Sequence, residues 1–355
     1  MDSISANDCV IHFNEKCYIA LNEHLKENNF SKIFILVDEN THQYCLPGFL
    51  EKMVTSLAIE IIEIESGEIN KNIETCVGVW NTLSDLDADR KSLMINIGGG
   101  VITDLGGFVA CTFKRGIAYI NVPTTLLSMV DASIGGKTGV DLGELKNQIG
   151  VISNPNLVLI DTNFLDTLPA NQMRSGLAEM LKHGLINNVN YWNKFQNLSK
   201  LNLSDLDELI HESVLIKKCV VEEDPFENGL RKTLNFGHTL GHAIESYFLS
   251  NKNKTTLLHG EAIAIGMILA SFISTKLLGF PEKTTLDIRD LFINYFGKID
   301  IDKSEYLSIM ELLKYDKKNS HGNINFVLLE AIGKPKIDCK VADEIIIEAF
   351  EFYSS

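Results

Sequence analysis

Short apolar runs alternate with helical stretches along the first half of the chain. Five of these runs have the length and apolar content of β-strands, and loops or segments with apolar residues at helical spacing separate them. They cover residues 32–37, 61–64, 92–97, 117–122 and 157–160. This β/α alternation predicts a largely parallel sheet that is covered by helices.

The pattern changes after residue 168. Glycines and strand-like runs become rare, and apolar residues recur at helical spacing, as at Met173, Leu177 and Met180. One later run, 325–329, lies between Gly322 and Gly333 and predicts a strand of a small hairpin. We therefore predict an α/β domain over residues 1–168 and an all-α domain over residues 169–355.

Composition narrows the class of protein. The chain has 355 residues, of which 45% are hydrophobic and 22% charged, so it can bury a sizeable core and is not a disordered tail. Lys and Arg number 32 against 47 Asp and Glu, which gives a net charge of −15. This is the wrong sign for a general nucleic-acid or acidic-membrane surface, so any anionic ligand requires a local basic pocket.

Neither a membrane span nor a secretory signal is expected. The longest uncharged apolar stretch, residues 262–273, is far shorter than the roughly 20 residues that cross a bilayer, so it predicts a buried core helix. The N-terminus lacks a basic region followed by an apolar run, which favours a cytoplasmic location. The seven cysteines are odd in number and never form a CxxC pair, so we expect buried thiols, without disulfides or a thiolate zinc site.

Glycine-rich turns supply the first candidate chemistry. Gly98–Gly100 follow a predicted strand and precede a predicted helix, an arrangement that suits a phosphate, although the spacing is not GxGxxG and a tight turn without a ligand is the alternative. Thr124 and Thr125 come directly after the next strand. The GGKT sequence in 131–138 is no P-loop, because a glycine would be needed at Asp131. Nearby stand three further donors, Lys137, Lys146 and Asn147, whose lysines are otherwise ordinary solvated surface residues.

Histidines in the helical half suggest a metal. His238 and His242 are four residues apart on one predicted helix face, and His259 precedes the uncharged helix. On an upstream predicted helix, Glu179 lies one turn before Lys182, and Glu179 and His183 lie on the same helix face. One carboxylate with two imidazoles, and a fourth position left open, is typical of catalytic zinc. Spacing alone does not choose the ligands among these residues.

Several of these motifs occur in this chain in the same order as in one known family. They are GGGVITD at 98–104, PTT at 123–125, VDASIGGK at 130–137, GLAE at 176–179, GLRKTLNFGH at 229–238 and LHGE at 258–261. From about residue 30 to 335 the chain resembles the 3-dehydroquinate synthase family of sugar phosphate cyclases. The resemblance implies a Rossmann-like N-terminal domain, a helical C-terminal domain and an active site in the cleft between them.

The resemblance also implies an activity. Members of this family convert 3-deoxy-D-arabino-heptulosonate 7-phosphate to 3-dehydroquinate and phosphate in the shikimate pathway. NAD+ oxidises the C5 hydroxyl, phosphate is eliminated, the ketone is reduced back, and the ring opens and recloses in an aldol step. NAD+ and a divalent metal, Zn2+ or Co2+, are the implied cofactors.

Particular residues acquire roles by this resemblance. The metal ligands are Glu179, His238 and His259, with His183 left as structural. The other site residues match contacts to substrate hydroxyls (Asp131, Lys182, Lys217, Glu227), to the carboxylate and anions (Arg231, Lys137) and to phosphate (Asn147, Asn235, His242, Lys317). Arg115 matches an arginine that reaches into a neighbouring subunit's site, which implies a homodimer. The NAD contacts are Asp38, Asn40, Glu68, Lys71, Gly99, Gly100, Val101, Asp104, Thr124, Thr125, Lys137, Lys146, Phe164 and Thr167.

One departure and three alternatives stay open. Many family members have an Asn-His-Pro-type loop where this chain has residues 141–147, with two added acids, which puts the shape of that loop in doubt. The alternatives are a cyclase acting on sedoheptulose 7-phosphate or glucose 6-phosphate, a metal-dependent polyol or glycerol phosphate dehydrogenase, and a nucleotide-binding sensor without catalysis. Retention of Arg231, Asn235, His242 and Lys317 favours the carboxylate-bearing substrate.

Overall fold

The computed structural model describes the chain except for residues 7, 144, 196–202 and 314–323 and the side chains of residues 203 and 204. It divides into two compact units. The first unit comprises Met1–Met173 and Asp207–Lys218, and the second comprises Arg174–Leu206 and Cys219–Ser355.

A seven-stranded sheet is the centre of the first unit. Its strand order is β1-β2-β9-β6-β5-β3-β4, and all its pairings are parallel except that of β1 with β2. The bounds are β1 Ile4–Ala6, β2 Cys9–Phe13, β3 Ile33–Asp38, β4 Ile59–Ile64, β5 Leu93–Gly98, β6 Ala118–Pro123 and β9 Leu157–Ile160. The five predicted strands are confirmed, and the largely parallel sheet with them.

Burial explains why these segments are strands. β5 is buried over its whole length, and in β3 every residue but the last is buried. A continuous apolar run suits a strand that is covered on both faces. Because neither face meets water, such a strand needs no polar residue at alternate positions. Side chains of β3 and β5 form one core cluster with residues of the helices α4, Ile73–Asp85, and α5, Gly100–Thr112.

Two features of this unit were not predicted from the sequence. Strands β1 and β2 form the antiparallel edge of the sheet and are too short to give a clear pattern. Where the GGKT segment and the residues after it were expected to be loops, the structure has a hairpin of β7, Lys137–Leu142, and β8, Leu145–Ile152. Gly139 and Gly150 allow the two strands to approach closely, since a Cβ on either glycine would lie under 2.5 Å from a carbonyl oxygen of the opposite strand.

Helices account for most of the remaining described residues. In the order of the chain they are α1 Glu15–Glu27, α2 Glu39–Tyr44, α3 Leu46–Lys52, α6 Ala170–Asn187, α7 Val189–Lys194, α8 Leu203–Glu223, α9 His238–Ser250, α10 His259–Leu278, α11 Glu282–Phe296, α12 Tyr306–Leu312 and α13 Asp343–Ser354. In the part of the chain that the structure describes, the second unit is thus helical apart from one antiparallel hairpin, β10 Phe326–Ala331 with β11 Lys334–Cys339. The hairpin expected near 325–329 is confirmed.

Helix α10 is the core of the second unit. Its residues 262–271 are all buried, which confirms the prediction of a core helix there. Its length and apolar content would also suit a membrane span, yet 67% of its most apolar window is buried inside the fold. Two glycines seat it closely: a Cβ on Gly260 would lie 2.1 Å from the Ser175 carbonyl oxygen of α6, and one on Gly266 2.0 Å from that of Gly237.

All seven cysteines are free thiols, as expected. Cys9, Cys17, Cys45 and Cys76 are buried. The expectation of burial is wrong for the other three, because Cys111 and Cys339 are half-buried and Cys219 is exposed.

Candidate active site

The first part of the site lies where the strand order of the sheet reverses. The chain passes from β3 to β4 on one side and then to β5 on the other side of β3, so β3 and β5 flank a topological switch point. Ligands of open α/β sheets bind outside the carboxyl ends of such strands. The structure places Asp38 at the end of β3 and Gly98 at the end of β5, both residues of predicted nucleotide-binding segments.

The glycine turn leaves the start of α5 free of side chains. A Cβ on Gly98 would lie 2.5 Å from the Cβ of Ile102, and one on Gly99 would lie 3.0 Å from Thr125 Cγ2. Gly99 is the N-cap of this 13-residue helix and no side chain caps it. No side-chain cap therefore competes for the backbone N–H groups of the first turn, and the helix dipole favours a phosphate group there.

Lys71, Asp104 and Asn147 form one hydrogen-bonded group next to this turn. Lys71 Nζ donates to Asp104 Oδ2 and to Asn147 Oδ1, each at 2.6 Å, and the side chain of Lys71 is only 5% exposed. Burial opposes its charge, but Asp104 and Glu68 outweigh burial and raise the pKa of Lys71. The resemblance gave Asn147 to phosphate and the other two to NAD, and the structure joins all three.

The other predicted residues of the first unit differ in their surroundings. Lys146 forms an ion pair with Glu68 at 3.4 Å, from within strand β8 and not from the expected loop. Asp38 caps α2, since its Oδ1 accepts from the Thr41 N–H at 2.7 Å. The remaining members are placed as follows: Asn40 exposed in α2, Gly100, Val101 and Thr124 by the glycine turn, Lys137 exposed at the start of β7, and Phe164 and Thr167 in a short 3-10 helix, Thr162–Thr167.

Asp131 and Lys217 form a second ion pair in the first unit. Lys217 Nζ donates to Asp131 Oδ1 at 2.6 Å and to its carbonyl oxygen at 2.5 Å. Lys217 reaches this point from α8, and Asp131 lies in a π-helical turn, Ser128–Ala132. The side chain of Asp131 is 26% exposed against 8% for Lys217, so the carboxylate is the accessible member of the pair.

Arg115 lies apart from these groups, in a backbone turn with left-handed φ of 69°. Its side chain is exposed and lines a surface cavity of about 400 Å³ together with Asp89, Arg90 and Lys114. The structure does not bring it to the nucleotide residues of its own sheet edge.

The second unit brings the predicted metal ligands together. Glu179 is fully buried in α6, and its Oε1 lies 3.4 Å from His238 Nε2 and 3.6 Å from His259 Nε2. These two imidazoles come from the first turns of α9 and α10. Three helices thus direct one carboxylate oxygen and two ring nitrogens toward one point.

This arrangement fits a metal ion. In a tetrahedral site with bonds of about 2.1 Å, neighbouring ligand atoms lie about 3.4 Å apart, close to both observed separations. Glu179 Oε1 has no hydrogen-bond partner among the described residues, although it is completely buried. Such a buried oxygen is costly unless a cation or a donor occupies the space beside it.

Charges around Glu179 support the same conclusion. Burial opposes its ionisation, but the Lys182 ammonium and the His238 ring outweigh burial and hold the pKa of Glu179 well below its usual value. Lys182, 1% exposed, forms an ion pair with the other oxygen, Oε2. Burial disfavours a proton on His259, yet Glu245 and Glu179 raise the pKa of His259 to about 9. The space between these carboxylates therefore favours a cation, whether a proton or a metal ion.

His242 and His183 are the alternative ligands. The His242 ring is 5.2 Å from the His238 ring and 5.7 Å from the His259 ring, so three imidazoles cluster at this end of α9. One ring nitrogen from each of these three histidines lies within 4.8 Å of the other two, so the three imidazoles are a second possible set of metal ligands. His183 is completely buried in α6, in keeping with the structural role that the resemblance implies.

The remaining predicted residues of the second unit lie on a tight segment before α9. Glu227 has a left-handed φ of 60°, and its carboxylate accepts from Asn235 Nδ2 at 2.6 Å. Arg231 is buried and donates to the Pro225 carbonyl at 2.8 Å. Lys317 lies outside the described residues.

Sequence reasoning missed two carboxylates that organise this unit. Asp224 accepts from the backbone N–H groups of Asn228, Gly229 and Arg231 at 2.7–3.0 Å, and so shapes the segment that carries Glu227 and Arg231. Glu245 contacts His259 from α9. A signal for Glu245 was present, since it follows His238 and His242 at positions i+7 and i+3 of one helix face.

Comparison with solved structures defines the class. A 2-deoxy-scyllo-inosose synthase, solved with carbaglucose-6-phosphate, NAD+ and Co2+, has 27% sequence identity and a TM-score of 0.86, with 99% of each chain covered. The 2-epi-5-epi-valiolone synthase of Streptomyces hygroscopicus subsp. jinggangensis 5008, solved with NAD+ and Zn2+, has 23% identity and a TM-score of 0.82, with 100% of this chain and 98% of that chain covered, which shows the fold alone. The fold is that of the sugar phosphate cyclases.

Sequence comparison defines the family. Residues 61–175 match the family model described as 3-dehydroquinate synthase N-terminal, and residues 176–319 match the one described as 3-dehydroquinate synthase C-terminal. A 3-dehydroquinate synthase of Parabacteroides distasonis is 42% identical over 335 residues, which are 94% of each chain. This chain belongs to the 3-dehydroquinate synthase family.

Proposed function

We propose that the chain converts 3-deoxy-D-arabino-heptulosonate 7-phosphate to 3-dehydroquinate and phosphate. In this proposal it is a phosphate-eliminating carbon–oxygen lyase of the shikimate pathway, on the route to chorismate and the aromatic amino acids. It uses NAD+ catalytically with a divalent metal ion, Zn2+ or Co2+, and acts as a cytoplasmic homodimer.

The convergence of Glu179, His238 and His259 is the observation that carries the proposal. These residues offer three ligand atoms at separations that suit a tetrahedral ion, and a fourth position remains for the substrate. When bound, NAD+ accepts and returns a hydride, and the metal ion polarises the substrate oxygens. The structure of the similar 2-deoxy-scyllo-inosose synthase, solved with NAD+ and Co2+, supports both cofactors.

Residues of the second unit would bind and orient the substrate around this ion. Lys182 lies against Glu179 and would hold a hydroxyl near the ion, as would Glu227. Arg231 carries the fixed charge that a carboxylate needs, while Asn235, His242 and Lys317 would contact the phosphate. Such local donors allow a dianion to bind to a chain whose net charge is −15.

In the first unit one group of residues would bind NAD+ and another would contact the substrate. The glycine turn and the residues at the ends of β3 and β5 would bind NAD+, whose pyrophosphate suits the uncapped start of α5. Asp131 and Lys217 would hold a substrate hydroxyl and relay its proton, since the pair already shares one short contact. Lys137 and Asn147 would complete the anion contacts.

A different cyclase activity is the second candidate. The high structural similarity to a 2-deoxy-scyllo-inosose synthase favours it, because that enzyme was solved with an analogue of glucose 6-phosphate. The sequence identity of 42% to a 3-dehydroquinate synthase and the presence of Arg231 for a carboxylate favour the first proposal.

One assay distinguishes these activities. The purified protein is incubated with the heptulosonate phosphate, NAD+ and Zn2+, and phosphate, dehydroquinate and NADH are followed. We expect phosphate and dehydroquinate in equal amounts with no accumulation of NADH. Net NADH would indicate a dehydrogenase, and turnover of sedoheptulose 7-phosphate or glucose 6-phosphate alone would indicate another cyclase. Failure to act on any of these substrates would indicate a binding protein.

A further inference from the structure

A second carboxylate, Glu245, stands behind the proposed metal ligand His259. Its Oε2 lies 3.2 Å from His259 Nδ1, and its side chain is only 7% exposed. Glu245 belongs to α9, the helix that also carries His238. None of the roles that the family resemblance implies falls on this residue.

The contact decides which nitrogen of His259 faces the ion. A neutral imidazole carries a proton on one nitrogen and a lone pair on the other. Because Glu245 is an acceptor, the proton belongs on Nδ1, and the lone pair on Nε2 then points toward Glu179 Oε1, 3.6 Å away. Without such an acceptor the proton could equally occupy Nε2, where it would block a metal ion.

His238 is arranged in the same way with a different acceptor. Its Nδ1 lies 3.1 Å from the carbonyl oxygen of Phe236, and its Nε2 lies 3.4 Å from Glu179 Oε1. In their neutral forms both rings therefore have an acceptor at Nδ1 and a lone pair on Nε2, which faces Glu179. A backbone carbonyl is fixed by the fold, whereas the acceptor of His259 depends on one side chain.

We propose that Glu245 is a positioning residue that holds His259 in its metal-binding tautomer and orientation. The inference rests on the metal site of the proposed function. Outer carboxylates of this kind fix ring orientation and increase the basicity of the ligand, and their loss commonly costs metal affinity without removing a ligand. Glu245 acts through His259 and need not touch substrate or NAD+.

Metal affinity of three variants tests the proposal. Co2+ is added to the purified protein in competition with a chromogenic chelator, and its visible absorption bands report the ligand geometry. For Glu245→Ala we expect a loss of affinity of about 10- to 100-fold and altered Co2+ bands. Glu245→Gln keeps an amide oxygen that accepts the same proton, so it should retain an intermediate affinity.

Nitrogen NMR of the Zn2+-loaded protein supplies a readout that a merely structural residue would not move. In the wild type and in Glu245→Gln the His259 ring should carry its proton on Nδ1, and in Glu245→Ala that proton should exchange faster with water. The matched control is Glu305→Gln, which alters another buried carboxylate of the same unit that binds Lys254 and Tyr247. It should leave Co2+ affinity unchanged.

Each result is decisive for the proposal. Wild-type Co2+ affinity and bands in Glu245→Ala would overturn it, as would an equal loss in the Glu305→Gln control. If Glu245→Ala does not fold, the wild-type affinity of a folded Glu245→Gln, with its His259 proton on Nε2, would overturn it equally. Because these measurements need no turnover, a wild type whose Co2+ affinity depends on Glu245 but which does not convert the heptulosonate phosphate would refute only the proposed function.

Discussion

Glu179 shows how a single side chain is made suitable for a metal ion. It is completely buried, and its pKa is nevertheless held below the usual value by Lys182 and His238 after the opposing effect of burial. An ionised carboxylate in such a place needs nearby cations. Lys182 serves one oxygen, and the two imidazoles leave the space beside the other oxygen to an ion.

Replacing His259 tests this site at the scale of one residue. His259→Ala leaves two ligands, which hold zinc poorly, so we expect metal affinity to fall by more than about 100-fold and activity to be lost with it. Bound zinc is measured by elemental analysis after gel filtration. His42→Ala, at an exposed histidine, is the control and should keep its zinc. Unchanged zinc in His259→Ala would shift the ligand assignment toward His183 or His242.

Helix α5 depends on close contact with the sheet. A Cβ on Gly106 would lie 2.1 Å from Asn96 Oδ1, and Asn96, fully buried in β5, donates to Asn121 Oδ1 of β6 at 2.9 Å. The amide pair is therefore held between two strands and has little room to move. The absence of a side chain at Gly106 sets how closely the helix that begins at the glycine turn can approach the sheet.

A methyl group at this contact should destabilise the first unit. We expect Gly106→Ala to lower the free energy of unfolding by about 1–3 kcal/mol through overpacking, and to weaken NAD+ binding. Gly78→Ala is the matched control, because Gly78 is also inside a helix, α4, and has nothing within 4 Å of an added Cβ. It should be neutral or stabilising by about 0.5–1 kcal/mol. Urea unfolding measures the stability of both variants. Equal effects of the two substitutions would contradict the close contact of Gly106 with Asn96 as the cause.

The short 3-10 helix Lys303–Glu305 carries a pH-dependent part of the stability. Glu305 accepts from Lys254 Nζ at 2.8 Å and from Tyr247 at 3.0 Å. Burial raises its pKa, but these donors and the Asp302 N–H outweigh burial and lower it below the ordinary 4.5. Because the folded pKa is depressed, the stabilisation is present above pH 4.5 and is lost as the pH falls through the folded value.

Glu305→Gln should therefore matter more at neutral pH than in acid. We expect it to cost about 1 kcal/mol of unfolding free energy at pH 7 and less as the pH falls below 4.5 and through the lowered folded pKa. Glu348→Gln, in the half-exposed pair with Lys276, is the control and should cost little at either pH. Urea unfolding at both pH values decides, and a difference from wild type that grows in acid would show the opposite sign.

At the scale of the whole molecule, Arg115 bears on how many copies form one site. Arg115 is exposed on a surface cavity and does not join the residues near the glycine turn of its own unit. The family resemblance gives it to a neighbouring subunit's site. A basic residue supplied by a second copy would also bring positive charge to an acidic chain at the point where the proposed substrate, a phosphorylated acid, would bind.

Mixing two inactive variants tests this shared site. We expect Arg115→Ala to depress activity while NAD+ binding persists, and His259→Ala to be inactive. If Arg115 acts across subunits, a mixed dimer contains one complete site, so mixing after exchange of subunits should restore about a quarter of the wild-type activity. A mixture that stays as inactive as its components would place Arg115 in its own subunit's site or outside any site.

The sequence predicted the elements with continuous patterns and missed those that tertiary contacts create. Strands β3, β5, β6 and β9 are apolar runs and were evident, whereas the β7–β8 hairpin is built around glycines that approach the opposite backbone and resembles a loop in sequence. Spacing put His238 and His242 on one helix. It could not show that His259 and Glu179, from two other helices, meet His238. Spacing also placed Glu245 on the face of His238 and His242, but it could not show that Glu245 is buried against His259.

The covering of α10 bears on how the protein is made. Phe272 of α10 stacks on Phe352 of α13 at 4.8 Å, and Lys276 pairs with Glu348 of the same last helix. A ribosome that adds about 5–20 residues per second finishes α10 several seconds before it reaches α13. During that interval α10, a long apolar helix, lacks the part of its cover that α13 provides and is a natural ligand for chaperones. Truncation before Asp343 would make the exposure permanent, and expression should then yield inclusion bodies.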